Sequence, residues 1–176
     1  MKTKNIKQTI MEYFFINPSS KLRVRELERV LKLPLPSVIR YCKELDKEEI
    51  LTITKIGNVS FYTSSGNGSY LLEKKLYNIK QLYLSGLVEF LREELSNPGI
   101  VLFGSYSRGE DIENSDIDLY IETPSKKGLN FEKFKKTLKR NIQTFQYKNL
   151  KEIHNKNLAN NIINGITLNN QIEVFK

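Results

Sequence analysis

Gly104-Ser105 and Asp116-Ile117-Asp118 are the residues whose types and spacing can do chemistry. Asp116 and Asp118 lie two apart at the head of an apolar run ending in Leu119-Tyr120-Ile121. In a strand, both carboxylates project from one face while Ile117, Leu119 and Ile121 point into a core. Two carboxylates held side by side repel each other unless a cation sits between them. Hard oxygen donors of this kind suit Mg²⁺ or Mn²⁺ with a bound triphosphate. The chemistry they serve is in-line phosphoryl or nucleotidyl displacement, where metal neutralises charge on the α-phosphate and leaving group. Upstream, the continuous apolar run Ile100 to Phe103 predicts a buried strand that breaks at Gly104-Ser105. Glycine lets a phosphate approach the backbone closely. The Ser105 hydroxyl and amide can donate hydrogen bonds to it near a helix N-terminus.

Each piece taken alone has a plainer meaning. A Gly-Ser pair is a turn in most proteins, an Asp-x-Asp is commonly a solvated strand face, and Arg108 by itself is a surface charge. Glu110, Asp111 and Glu113, which crowd the segment between the two halves, are expected to be solvated or helix-terminal. Cys42 and His154 have no partner in sequence that would make a dyad, so both are expected to be structural.

The elements that must position this segment follow from hydrophobic period and punctuation. A charge-free stretch, Thr63 to Ser69, reads as a linker. Three helices are expected before it: one from Ile6 through Phe14 that ends before Asn17-Pro18, one over Val24–Leu31, and one over Pro36–Glu48. Leu51, Ile53, Val59 and Phe61 then alternate with polar residues around Gly57-Asn58, as in a hairpin. After the linker, the helical period runs from Tyr70 to Leu95, about 37 Å of helix, stopping at Ser96-Asn97-Pro98-Gly99. A helix over Phe131–Arg140, a strand over Asn141–Tyr147 and a strand-like run from Gln171 to Phe175 complete the chain. The expected organisation is residues 1–66, a connecting helix 67–97, and a mixed-sheet domain 98–176, an α+β fold.

Composition sets the frame. Among 176 residues, 28 Lys and Arg face 20 Asp and Glu, for a net charge of +8. The excess is denser in residues 1–66, with 12 cations against 7 anions, so contact with a polyanion is expected there first. A single cysteine excludes an intramolecular disulfide and a thiolate zinc site. No apolar run is long enough to span a bilayer, and polar residues interrupt the N-terminal stretch that a signal peptide would need. The expected location is the cytoplasm, with no membrane partner.

Residues 5–63, three short helices then a two-stranded ribbon, resemble the winged helix-turn-helix family. That resemblance implies that Pro36–Glu48 is a recognition helix, with Ser37, Arg40, Tyr41 and Lys43 facing a major groove and Lys55 near phosphate. Packing against a partner protein, or a homodimer, is the equal alternative, and Glu44, Asp46, Glu48 and Glu49 dilute the positive field. The pattern Gly104-Ser105, ten residues, then Asp116-x-Asp118 resembles the DNA polymerase β-like nucleotidyltransferase superfamily over residues 100–176. More narrowly it resembles the minimal, MNT-type members. Arg108-Gly109 and Ser115 also match, and the resemblance implies that Arg108 lies near the nucleotide phosphates. Active members carry a third carboxylate on the next strand, where this chain has Gln143. Glu173 is the only later carboxylate in strand-like surroundings, either substituting from an adjacent strand or simply exposed.

Three functions are open on this basis. The first is a metal-dependent nucleotidyltransferase that takes an NTP, expected to be ATP, with Mg²⁺ or Mn²⁺, and transfers NMP to an acceptor hydroxyl. The second is a winged-helix DNA-binding regulator whose second domain senses nucleotide without turnover. The third is an antitoxin acting on a HEPN-type partner protein, a pairing the MNT resemblance implies.

Overall fold

The computed structural model describes residues 5–174. The chain divides into two units, Met1–Tyr77 and Asn78–Lys176.

In the first unit, α1 (Ile6–Ile16) starts at Asn5, whose side chain accepts the Gln8 amide at 3.3 Å, and it ends at Asn17, ahead of Pro18. Helix α2 (Val24–Leu31) opens with the Glu26 carboxylate accepting the Arg23 amide at 2.7 Å, and it closes at Lys32 in the left-handed region. Helix α3 (Leu35–Lys47) holds Pro36 in its first turn, where a missing N–H costs nothing. It buries Val38, Cys42 and Leu45 on one stripe. Strands β1 (Leu51–Ile56) and β2 (Val59–Ser64) pair antiparallel around Gly57, whose φ is +57°, and Leu22 adds a bridge to Tyr62. Ile10, Phe14, Leu27, Val38, Cys42, Leu45 and Leu51 form the core of this unit.

The linker is shorter than its composition predicts. Thr63 and Ser64 belong to β2, and α4 (Gly68–Leu84) begins within the same small-residue stretch. The Asn67 side chain accepts the Tyr70 amide at 3.0 Å, so a polar residue caps a helix here rather than extending a loop. The helix expected over Tyr70–Leu95 is in fact two, α4 and α5 (Leu87–Glu94). They are separated at Ser85-Gly86, where Gly86 has φ +76°. A hydrophobic period alone runs through such a glycine, because one glycine is tolerated inside a helical pattern. The left-handed φ is what breaks the ladder.

The second unit is a four-stranded sheet in the order β5-β4-β3-β6. Its strands are β3 (Gly99–Phe103), β4 (Ile117–Glu122), β5 (Ile142–Tyr147) and β6 (Ile166–Asn169). Strand β3 pairs antiparallel with β4 and β6, whereas β4 and β5 are parallel, so the sheet is mixed. Helix α6 (Gly104–Arg108) follows β3 directly, α7 (Glu132–Leu138) precedes β5, and α8 (Lys156–Ile163) precedes β6. Ile100, Leu102, Ile117, Leu119 and Ile121 fill one face of the sheet with Leu87, Leu91 and Phe134. Val101, Phe103 and Tyr120 fill the other with Leu150, Ile153 and Ile162. A fully buried Leu or Ile contributes about 1.5–3 kcal/mol, so the alternation along β4 firmly fixes which face Asp118 occupies.

The strand expected from Gln171 to Phe175 is absent over its described part. Residues 171–174 are irregular, Phe175 lies outside the described residues, and the fourth strand is instead Ile166–Asn169. Gly165 precedes it so closely that a Cβ there would lie 2.5 Å from Val101 Cγ1 and 2.6 Å from the Leu102 carbonyl oxygen. No helix among the described residues is long and apolar enough to cross a membrane.

Candidate active site

The two halves of the motif meet at Gly104. Strand β3 ends at Phe103, which stands opposite Asp118 on β4, and the chain turns into α6 through Gly104 at φ +74°. A Cβ built at Gly104 would overlap Asp118 Oδ2 and lie 3.2 Å from its Cγ. The glycine is therefore required twice, for its backbone angle and for the room it leaves the carboxylate. Helix α6 is a single short turn in which Ser107 Oγ donates to the Gly104 carbonyl at 2.7 Å. Gly109 closes it at φ +75°, and the Glu110 amide donates to the Ser105 carbonyl at 3.0 Å. Ser105 itself is half-buried beside the acidic pair's strand.

Asp116 lies just before β4 and Asp118 within it; both are half-buried. Burial first, and the negative charge of Asp116 second, hold the Asp118 carboxyl above its ordinary value. Gln143 stands directly across from Asp118 on the parallel strand β5, exposed, so its side chain shares the face of the acidic pair. Glu173 does not join them. Strand β6 runs antiparallel to β3 and reaches Asn169 opposite Ile100, and residue 172 lies near Gly99. Gly99 is at the opposite end of β3 from Phe103 and Asp118. Glu173 instead lines a cleft with Glu122, Lys148 and Lys151. Among the described residues, no three His, Cys, Asp or Glu side chains come together as a metal cluster. Asp116 and Asp118 are therefore the carboxylates at this end of the sheet that could serve as metal donors. That suits Mg²⁺ or Mn²⁺, which commonly take one or two protein carboxylates and leave the remaining positions to substrate phosphates and water.

Arg108 is exposed and its Nε donates to Glu110 Oε2 at 2.6 Å. Ser115 Oγ accepts the Ile112 amide at 2.9 Å, closing the turn that leads into Asp116. A cleft of about 290 Å³ beside Ser115 is also lined by Lys135, Lys139 and Asn141. Asp111 departs from expectation: it is not solvated but 1% exposed. Its Oδ1 accepts from Asn78 Nδ2 at 2.8 Å and its Oδ2 faces Arg140 Nη2 at 3.3 Å. Nothing in the local pattern between Gly109 and Ser115 announces that burial, because both partners are far away in sequence.

In the first unit, Arg40, Lys43 and Lys55 are exposed, while Ser37 and Tyr41 are half-buried. The Arg40 guanidinium lies 4.3 Å from the centre of the Tyr41 ring. The acidic residues of α3 are partly neutralised. Lys7 Nζ donates to Glu44 at 2.8 Å and Glu48 at 2.6 Å, and these hydrogen bonds raise the Lys7 pKa above its ordinary value. Asp46 Oδ1 accepts the Ile53 amide at 3.2 Å. A second basic surface was not expected from spacing: Arg23, Arg25 and Arg29 line a cleft with Asn58 and Ser60 at the hairpin tip. Lys21 and Arg23 both lie over the Phe61 ring, at 5.2 and 5.5 Å. Cys42 is fully buried, which pushes its thiol up to about 12, so it is inert packing. His154 is exposed.

A family model described as a nucleotidyltransferase domain matches residues 84–165, from the end of α4 to the residue before β6. The matched segment contains Gly104, Ser105, Asp116, Asp118 and Gln143. No curated protein and no solved structure matches the chain.

Proposed function

We propose that the nucleotidyltransferase domain is a metal-dependent enzyme that transfers NMP from an NTP, with ATP as the expected donor, to an acceptor hydroxyl. The observation that supports this reading is the close approach of Gly104 to the Asp118 carboxylate, which sets the glycine bend beside the acidic residues. In the proposed site the Gly104-Ser105 bend receives the phosphates, with the Ser105 hydroxyl and amide as donors. Asp116 and Asp118 hold Mg²⁺ or Mn²⁺, which would supply charge neutralisation at the α-phosphate and leaving group. The acceptor oxygen forms a bond to the α-phosphorus and gives up its proton to water, the bond from that phosphorus to the pyrophosphate breaks, and pyrophosphate leaves. Gln143, at the position next to Asp118, can orient the acceptor by hydrogen bonding but cannot take its proton, since an amide has no basic site at neutral pH.

The acceptor in this reading is a protein hydroxyl, as an antitoxin of MNT type would use on a HEPN-type partner, and the location is cytoplasmic. Incubating the chain with α-labelled ATP, Mn²⁺ and cell extract tests the activity. Label should transfer with wild type and disappear with Asp116→Asn; absence of transfer from wild type would count against the reading.

A second reading is a winged-helix regulator that senses nucleotide without turnover. Two observations favour it: Gln143 in place of a carboxylate, and the helix-helix-helix-hairpin order of the first unit with its Leu22–Tyr62 bridge. Ser37, Arg40, Tyr41, Lys43 and Lys55 would then contact DNA, with the arginines of α2 adding phosphate contacts. DNA binding whose affinity falls steeply with salt supports it; absence of binding removes it.

A further inference from the structure

The geometry points to Asp111 as a positioning residue: its buried carboxylate, held by Asn78 and Arg140, locks the two halves of the site to one another. This rests on the nucleotidyltransferase reading for its functional meaning, although the positioning itself does not.

Asp111 lies between Gly109, which closes α6, and the turn that delivers Asp116. On one side, Asn78 Nδ2 donates both to Asp111 Oδ1 at 2.8 Å and to the Tyr106 carbonyl at 3.0 Å. Tyr106 is in α6, immediately after Gly104-Ser105. One amide group therefore ties the Gly-Ser turn to the acidic loop. On the other side, Arg140 Nη2 faces Asp111 Oδ2 at 3.3 Å, and the carbonyl of the very next residue, Asn141, accepts the Ile117 amide at 2.8 Å. Consecutive residues 140 and 141 thus clamp positions 111 and 117. Residues 112–116 form a loop closed at both ends, and Ser115 Oγ braces it internally by accepting the Ile112 amide. Asp116 is the last residue inside that loop.

Asn78, Asp111 and Arg140 are 2%, 1% and 8% exposed. Taking a carboxylate and a guanidinium out of water costs about as much as their attraction returns, so such a pair is poor evidence of added stability. What it supplies is direction: a carboxylate with fixed hydrogen-bond partners has one orientation, whereas apolar side chains of equal volume have several. The clamp holds the Asp116 carboxylate in place beside Asp118 without touching metal or nucleotide.

The test separates positioning from stability with Asp111→Leu/Arg140→Met, which keeps the branching at position 111 and the length at position 140 approximately and removes direction. Two measurements are made on the full chain: amide hydrogen exchange at Ile112 and Ser115 without ligand, and the Kd for Mn²⁺·ATP by calorimetry. The variant should melt at or above the wild-type temperature, exchange at those amides at least ten-fold faster with β3 unchanged, and bind Mn²⁺·ATP at least ten-fold more weakly. A folded variant with wild-type exchange at Ile112 and Ser115 overturns the proposal. If wild type itself does not bind Mn²⁺·ATP, the nucleotidyltransferase reading fails, and the exchange comparison still decides the clamp. Should the double variant not fold, Asp111→Asn keeps an acceptor for Asn78 and drops the charge facing Arg140. The same ten-fold acceleration is then expected, and its absence is refuting.

Discussion

Replacing Gly104 with alanine asks whether the glycine is present for its backbone angle or for the carboxylate beside it. Gly86 provides a matched control. Its φ is +76° against +74° at Gly104, but nothing lies within 4 Å of a Cβ built there. Placing an L-residue in the left-handed region costs about 1–2 kcal/mol. Part of this is offset by about 0.4–1 kcal/mol from the stiffer unfolded chain, so Gly86→Ala should destabilise by about 1 kcal/mol. Gly104→Ala carries the same backbone cost plus an overlap with Asp118 Oδ2. Relieving such overpacking costs about 1–3 kcal/mol more, for a total of roughly 2–4 kcal/mol. Removing the obstructing side chain should recover that excess, so Gly104→Ala and Asp118→Ala should couple by about 1–3 kcal/mol. Urea unfolding followed by tyrosine fluorescence on the four corners of the cycle, beside Gly86→Ala, measures this. Calorimetry with Mn²⁺ should show binding at least ten-fold weaker in Gly104→Ala, since Asp118 must swing aside. A coupling under about 0.5 kcal/mol, within ordinary additivity error, would refute the claim that the bend and the acidic strand are built around each other.

The remaining expectations concern the same unit. Because burial and Asp116 raise the folded-state pKa of Asp118 above its unfolded value of about 3.9, the native state binds the extra proton and stability falls as pH rises through that window. Asp118→Asn should therefore melt higher than wild type at pH 7, with the gain vanishing as pH approaches 4; thermal scans across pH check the sign, and a gain that persists at pH 3 contradicts it. Mn²⁺ affinity of the wild type should weaken over the same descent in pH, read by calorimetry. Gln143→Asp places a third carboxylate in register with Asp118, and should tighten Mn²⁺ binding at least ten-fold and increase label transfer; unchanged affinity would mean that position 143 does not face the ion. Gly165→Ala drives a methyl group against Val101 and the Leu102 carbonyl, and should cost about 1–3 kcal/mol by urea unfolding, with Mn²⁺ affinity retained.

Several features were legible because they are local. The period-2 run of β4 places Ile117, Leu119 and Ile121 in the core and Asp118 on the opposite face, as alternation requires. The stripe of α3 and the Gly57-Asn58 hairpin likewise follow from spacing and turn chemistry within a few residues. Asp111 and Glu173 show the limit of that reasoning. One acidic residue in a polar loop and another in an alternating tail look alike in sequence, yet the first is buried against Asn78 and Arg140 and the second is exposed at the far end of β3 from Asp118. Likewise, helical period continued across Gly86, where only the backbone angle shows the break.

What the amino-acid order carried alone is residue type and spacing: two acidic residues two apart at the start of an apolar run, a glycine ending the apolar run before them, and a glutamine in the strand that follows. What tertiary structure decided is which of these meet. Gly104 and Asp118 are separated by thirteen residues, and they touch because β3 and β4 pair antiparallel with Phe103 opposite Asp118. Gln143 comes alongside because β5 adds in parallel with its own register. Register depends on which strands become neighbours and which faces are buried together, a property of the packed core that no short stretch of chain contains.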